Sequence, residues 1–146
     1  MTHDPQTMIR FARALAITSQ LYQTRMNALL APHDLTIAQF GLLNHLAHGP
    51  SDGEPIADIA RAVEVNQPAV TKIVQKFDRL GWLHITGSGR GRRVRLNDTG
   101  FGALGRVHES LGPDYGRLLG SWTPGDLDAF SGYLERLAQG YDANRL

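Results

Sequence analysis

A mainly α-helical chain with one small two-stranded β-hairpin is the fold class this sequence predicts. Three observations predict it. Apolar residues recur at helical spacing through most of the 146 residues. Residues 82–97 break that pattern, with β-favouring residues on either side of a Gly/Arg-rich centre. The segment just before them is a capped amphipathic helix whose outer face is polar and basic. A basic helix followed by an arginine-laden hairpin is the arrangement of a winged helix-turn-helix, a surface suited to a nucleic-acid groove and backbone.

The elements follow in order. Residues 5–30 read as a long first helix, with Met8, Phe11, Leu15, Tyr22, Met26 and Leu29 at spacings of three, four and seven. A helix so apolar needs a core or a subunit to pack on. Thr36 opens the second helix with a capping-box spacing to Gln39, Phe40, Leu42, Leu43 and Leu46 form its buried face, and Gly49-Pro50 stops it. Residues 50–55 (PSDGEP) are a loop by composition. A short third helix runs from about Pro55 to Ala62, with Ile56, Ile59, Ala60 and Val63 turned inward.

Asn66 is the N-cap of the fourth helix, and Pro68 is tolerated in its first turn. Val70, Ile73, Val74, Phe77 and Leu80 make one apolar stripe, and Gly81 supplies a left-handed cap. In the hairpin, Val94 and Leu96 alternate with Arg93 and Arg95 around a glycine-rich tip, residues 87–91. Helical spacing returns from Asp98 through Phe101, Leu104, Val107, Leu111, Leu118 and Leu119, with Gly112-Pro113 expected to kink or break the helix. Thr123-Pro124 opens a last helix with Leu127, Phe130, Leu134 and Leu137 as its stripe, ending at Gly140.

Charge distribution says more than total charge. The chain is formally +1, yet residues 61–95 hold eight Lys and Arg residues against Glu64 and Asp78, a net of +6 that leaves −5 for the remainder. Such segregation is an electrostatic footprint for a polyanion. Other classes recede. With no cysteine there is no disulfide, thiolate metal site or thiol switch. No apolar run approaches a membrane span and no signal-peptide core is present, which fits a cytoplasmic protein with no membrane partner. Phosphate-loop, serine-elbow and metalloprotease motifs are absent, so no enzyme and no cofactor are expected. His45 and His48, at i and i+3 near His33 and Asp34, are too few for a metal assignment.

Several local segments resemble the MarR family of bacterial transcriptional regulators, and the resemblance covers nearly the whole chain. Leu35-Thr36-Ile37-Ala38-Gln39-Phe40 is similar to the family's Leu-Thr…Gln-aromatic helix start, and Asp58-Ile59-Ala60 to its acidic-Leu-Ala element. Residues 69–83 resemble the family's recognition helix, with Leu80-Gly81 as the signature turn; Leu96-Asn97-Asp98-Thr99-Gly100 is similar to its Leu-Thr-x-x-Gly. There are departures. The family's Asp-x-Arg at the wing tip is Ser88-Gly89-Arg90 here, so Arg90 lacks the usual acidic partner, and a slipped register gives the role to Arg92. Asn97 replaces the threonine.

The resemblance implies a homodimer whose terminal helices, residues 1–34 and 99–146, interlock as a dimerisation region, while residues 35–98 form the winged helix-turn-helix, all in one compact domain. Two such units would meet major grooves about 10 bp apart on a near-palindromic operator of double-stranded DNA. Repression is the commoner outcome in the family. Many members are relieved by a small, often aromatic effector bound between the dimer helices and the winged region. By family position Arg10, Tyr22, Met26, His33, Phe40 and His45 neighbour that place, although ordinary packing explains the aromatics equally well.

The DNA-facing set follows from side-chain chemistry. Gln67 and Gln75 can bond adenine, Ala69 and the Thr71 methyl can touch thymine, and Lys72 can reach guanine or phosphate. Lys76 and Arg79 lie further along and are assigned to phosphate, and Arg90, Arg92 and Arg93 to the wing, with Arg90 entering the minor groove. The competing reading from another class is a winged helix used only as a protein-interaction module.

Overall fold

The computed structural model describes residues 2–145. It contains α1 (Pro5–Leu30), a 3₁₀ turn (Ala31–His33), α2 (Ile37–Ala47), β1 (Glu54–Pro55), α3 (Ile56–Val63), α4 (Gln67–Arg79), β2 (Leu83–Thr86), β3 (Arg93–Leu96), α5 (Asp98–Leu118) and α6 (Pro124–Ala143). The fold is mainly α-helical with a small antiparallel sheet, as expected of a winged helix-turn-helix. Two compact units divide inside α5, one ending at Glu109 and the other beginning at Ser110.

Local side-chain chemistry sets the helix starts. Asp4 accepts the Thr7 amide at 3.1 Å and begins α1. Thr36 and Gln39 close a reciprocal capping box on α2, each bond 3.1 Å. Asn66 accepts the Ala69 amide at 2.9 Å and begins α4. Thr123 and Asp126 form a second capping box on α6. Each cap satisfies backbone N–H groups that the first helical turn leaves without partners, worth about 1 kcal/mol apiece.

The first unit's core is built from Met26 and Leu30 of α1, Phe40, Leu42, Leu43 and Leu46 of α2, Ile59 and Ala60 of α3, and Val70, Ile73, Val74 and Phe77 of α4. Leu83, Val94 and Leu96 extend it under the sheet. The α4 stripe ends one turn earlier than its periodicity predicts: Leu80 is 47% exposed because it is already the C-cap residue. Beyond it Gly81 takes φ +76°, the Trp82 amide bonds the Phe77 carbonyl at 3.0 Å, and the Gly81 amide bonds that of Asp78. This is a Schellman ending, and its usual apolar contact is the Phe77–Trp82 ring pair, 5.2 Å between centroids.

The structure corrects three expectations. The sheet has three strands, not two, in the order β1-β3-β2, because Glu54–Pro55, read as loop, pairs with Arg93 and Val94. A two-residue strand carries no alternation for a sequence to show. α5 is not broken at Gly112-Pro113: it continues through Pro113, which forfeits the bond its N–H would make to the Glu109 carbonyl. α6 runs past Gly140 to Ala143 and is capped by Asn144, whose amide bonds the Tyr141 carbonyl. Glycine inside a helix costs about 1 kcal/mol relative to alanine but does not end it.

Apolar side chains remain uncovered on the long helices. Phe11, Ile17, Leu21 and Tyr22 on α1 are about half exposed or more, as are, in the second unit, Leu118, Tyr133 and Tyr141. No helix among the described residues is long and apolar enough to cross a membrane.

Candidate nucleic-acid interface

α3 and α4 form the helix-turn-helix. Glu64 turns the chain between them at φ +58°, and Asn66 restarts it. With Val70, Ile73, Val74 and Phe77 buried, α4 must present its other side outward. Gln67, Thr71, Gln75 and Arg79 fall four residues apart on one outward stripe, with Lys72 beside it. Gln67, Lys72, Gln75 and Arg79 are exposed, and Ala69 and Thr71 half-buried. This is a groove-sized row of amide, methyl and ammonium groups on a rigid helix.

The wing stands next to it. β2 and β3 pair Leu83 with Leu96, His84 with Arg95, Ile85 with Val94 and Thr86 with Arg93. That register sends Val94 and Leu96 to the core and Arg93 and Arg95 to the opposite face. Pairing stops at Thr86, and residues 87–92 form a tip containing a 3₁₀ turn (Gly89–Gly91). Arg90 is exposed there and Arg92 half-buried. Among the described residues, Lys72, Arg79, Arg90 and Arg92 make no ion pair or side-chain hydrogen bond, so their charges stand available.

Two of the expected DNA cations are engaged within the protein. Lys76 Nζ donates to the Asp34 carbonyl, donates to Gln39 Oε1 at 2.9 Å and lies 3.6 Å from the Asp34 carboxylate. Arg93 donates from Nη2 to the Gly53 carbonyl at 2.8 Å and lies 3.7 Å from the Asp52 carboxylate, while its Nε is buried without a partner. Arg93 thus ties the loop before β1 to β3. Replacing it with glutamine should lower stability by about 1–3 kcal/mol, read by thermal unfolding, since it strands a carbonyl that a charged donor now satisfies.

Sequence reasoning missed a further support, Asn97. Its amide donates to the carbonyls of Gly81 (2.9 Å) and Leu83 (3.3 Å), and its Oδ1 accepts the Gly100 amide at 2.9 Å. One side chain therefore joins the end of the recognition helix, the root of the wing and the start of α5. A threonine hydroxyl at this position could cap α5 but has no amide donors for the two carbonyls.

His45 and His48 point to different partners. His45 Nε2 sits 2.9 Å from Glu54 Oε1, and His48 Nδ1 lies 2.9 Å from the Asn44 carbonyl. An open cleft of about 900 Å³ lies along α2, lined by Gln23 and Asn27 of α1, Gly41, Asn44 and His45 of α2, and Ala62 and Val63 of α3. Of the residues placed near an effector by family position, His45 lines this cleft, Met26 and Phe40 lie in the core, and Arg10 and Tyr22 are exposed.

A comparison with protein families matches residues 33–94 to the MarR family. A comparison with curated proteins finds no match. Solved structures of the same fold are numerous. A MarR family protein from Bacillus stearothermophilus superimposes with a TM-score of 0.78 at 19% identity, covering 95% of this chain and 98% of that one. A MarR family transcriptional regulator from a Rhodococcus species gives 0.74 at 15% identity, over 94% and 96% of the two chains. MepR, a transcription regulator of the Staphylococcus aureus multidrug efflux pump MepA, gives 0.68 at 16% identity, over 89% and 97%. The helix order, the wing and the match over residues 33–94 converge: this chain has the fold of the MarR family of transcriptional regulators.

Proposed function

We propose that the protein is a sequence-specific, double-stranded DNA-binding transcriptional regulator that acts as a homodimer on a near-palindromic operator, represses from it, and is released by a small-molecule effector. The observation that carries this reading is the outward row Gln67, Thr71, Lys72, Gln75 and Arg79 on a buried-backed helix, flanked by the free arginines of the wing. Gln67, Ala69, Thr71 and Gln75 read bases; Lys72, Arg79, Arg90 and Arg92 hold phosphates or enter the adjacent minor groove. The role is regulatory, not enzymatic.

Dimerisation through residues 1–34 and 99–146 is supported by the uncovered apolar side chains of α1 and α6, far more than scattered surface residues would supply. The effector reading is supported by the cleft along α2, which touches α1, α2 and α3 and so responds to their spacing. A protein in the bacterial cytoplasm fits all of this.

The test is binding of the purified protein to the duplex upstream of its own coding sequence, with a scrambled duplex as control. Binding at least about a hundredfold tighter to the upstream duplex, with two protomers per site by sedimentation, is the expected result. Equal, weak binding to both duplexes would overturn the assignment of that operator. Addition of small aromatic acids should then lower the affinity for the preferred duplex.

A further inference from the structure

Lys76 occupies the recognition helix but faces inward, toward the corner between α1 and α2. Its side chain is only 19% exposed. At that corner Asp34 adopts a left-handed conformation, φ +56°, which turns its carbonyl out of the helical direction and within reach of the Lys76 ammonium. Gln39 supplies the second acceptor at 2.9 Å, and the same Oε1 already accepts the Thr36 amide at 3.1 Å. Two donors meeting on one atom fix Gln39 in place, so the capping box of α2 is also a socket for α4. A half-buried stem with three converging oxygens is a poor phosphate contact, because reaching DNA would strip an ammonium from partners it already has.

We infer that Lys76 is a positioning residue for DNA recognition: its clamp on Asp34 and Gln39 sets the orientation of α4 relative to the α1–α2 corner. This rests on the DNA-binding reading above. Movement of α1 at its C-terminal end then reaches the recognition helix through this side chain as well as through the core. The clamp sits beyond Gln75, at the far end of the base-reading row, where a change in helix tilt displaces Gln67 and Thr71 most.

The test compares Lys76→Met, Gln39→Leu and the double variant on the duplex the wild type prefers, titrated against salt. Lys76→Met should weaken binding at least about fivefold while the slope of log K against log salt stays at the wild-type value, because no phosphate contact is lost. Gln39→Leu changes no charge and lies on α2, yet it should weaken binding in the same direction, and the double variant should be no worse than Lys76→Met alone. A slope flattened by about 1.8 per dimer in Lys76→Met, with Gln39→Leu binding as wild type, would overturn the clamp and restore Lys76 to the phosphates. A wild type that binds no duplex in a salt-dependent way defeats the DNA reading instead. In that event a thermal-unfolding cycle of the same variants decides the clamp by itself: non-additive losses support it and additive ones overturn it.

Discussion

Raising salt from 50 to 200 mM is expected to weaken operator binding by the dimer roughly ten-thousandfold. The figure follows from counting available cations. Lys72, Arg79, Arg90 and Arg92 stand without internal partners, so a dimer offers about eight phosphate contacts and a slope of log K against log salt near −7. If Lys76 and Arg93 also bound phosphate, about twelve contacts would give a slope near −11 and a loss closer to a millionfold. The two outcomes are far enough apart for an ordinary fluorescence titration to separate. A slope near zero would remove the phosphate assignments altogether and favour a winged helix that binds proteins.

Gly100→Ala is expected to destabilise the fold by about 2–3 kcal/mol, a drop in Tm of roughly 6–12 °C. Gly100 is buried in the first turn of α5, and a Cβ there would lie 2.4 Å from the Trp82 carbonyl oxygen and 3.1 Å from Leu96 Cδ2. The oxygen cannot retreat, since it also accepts the Asn97 amide at 2.9 Å. Relief therefore has to move the junction between the recognition helix and the wing, so DNA affinity should fall with stability. Gly105→Ala, further along the same helix, meets nothing within 4 Å and should stabilise by about 0.5–1 kcal/mol through helix propensity. Calorimetry of the two variants checks the pair. Equal effects at both positions would show that close backbone approach is not what Gly100 provides.

Much of the architecture was legible because its determinants are local. Thr36 with Gln39, Asn66 with Ala69 and Thr123 with Asp126 are contacts three residues apart, written in the sequence as spacing. The α4 stripe was legible for the same reason, since 3.6 residues per turn puts Val70, Ile73, Val74 and Phe77 on one side. What was not legible is long-range. Lys76 meets Gln39 across 37 positions and Asp34 across 42, and Arg93 meets Gly53 across 40. Nothing near these cations in sequence marks them as partnered, so Lys76 and Arg93 were assigned to DNA along with the unpartnered ones. β1 was missed similarly, because its reason for being extended is β3. The Gln39 signal was half visible: its capping role could be read, its second donor could not.

The wing is a cantilever. Its root is held on both flanks of β3, by β1 and β2, and stitched to α4 by Asn97, while residues 87–92 extend past the last paired positions, Thr86 and Arg93. Load applied at Arg90 would therefore fall on a short glycine-containing arm before it reached α4. On the proposed DNA-binding reading, grooves of slightly different width would be met at the tip with the register of Gln67 and Thr71 preserved, so sequence discrimination would be concentrated under α4 and tolerance under the wing.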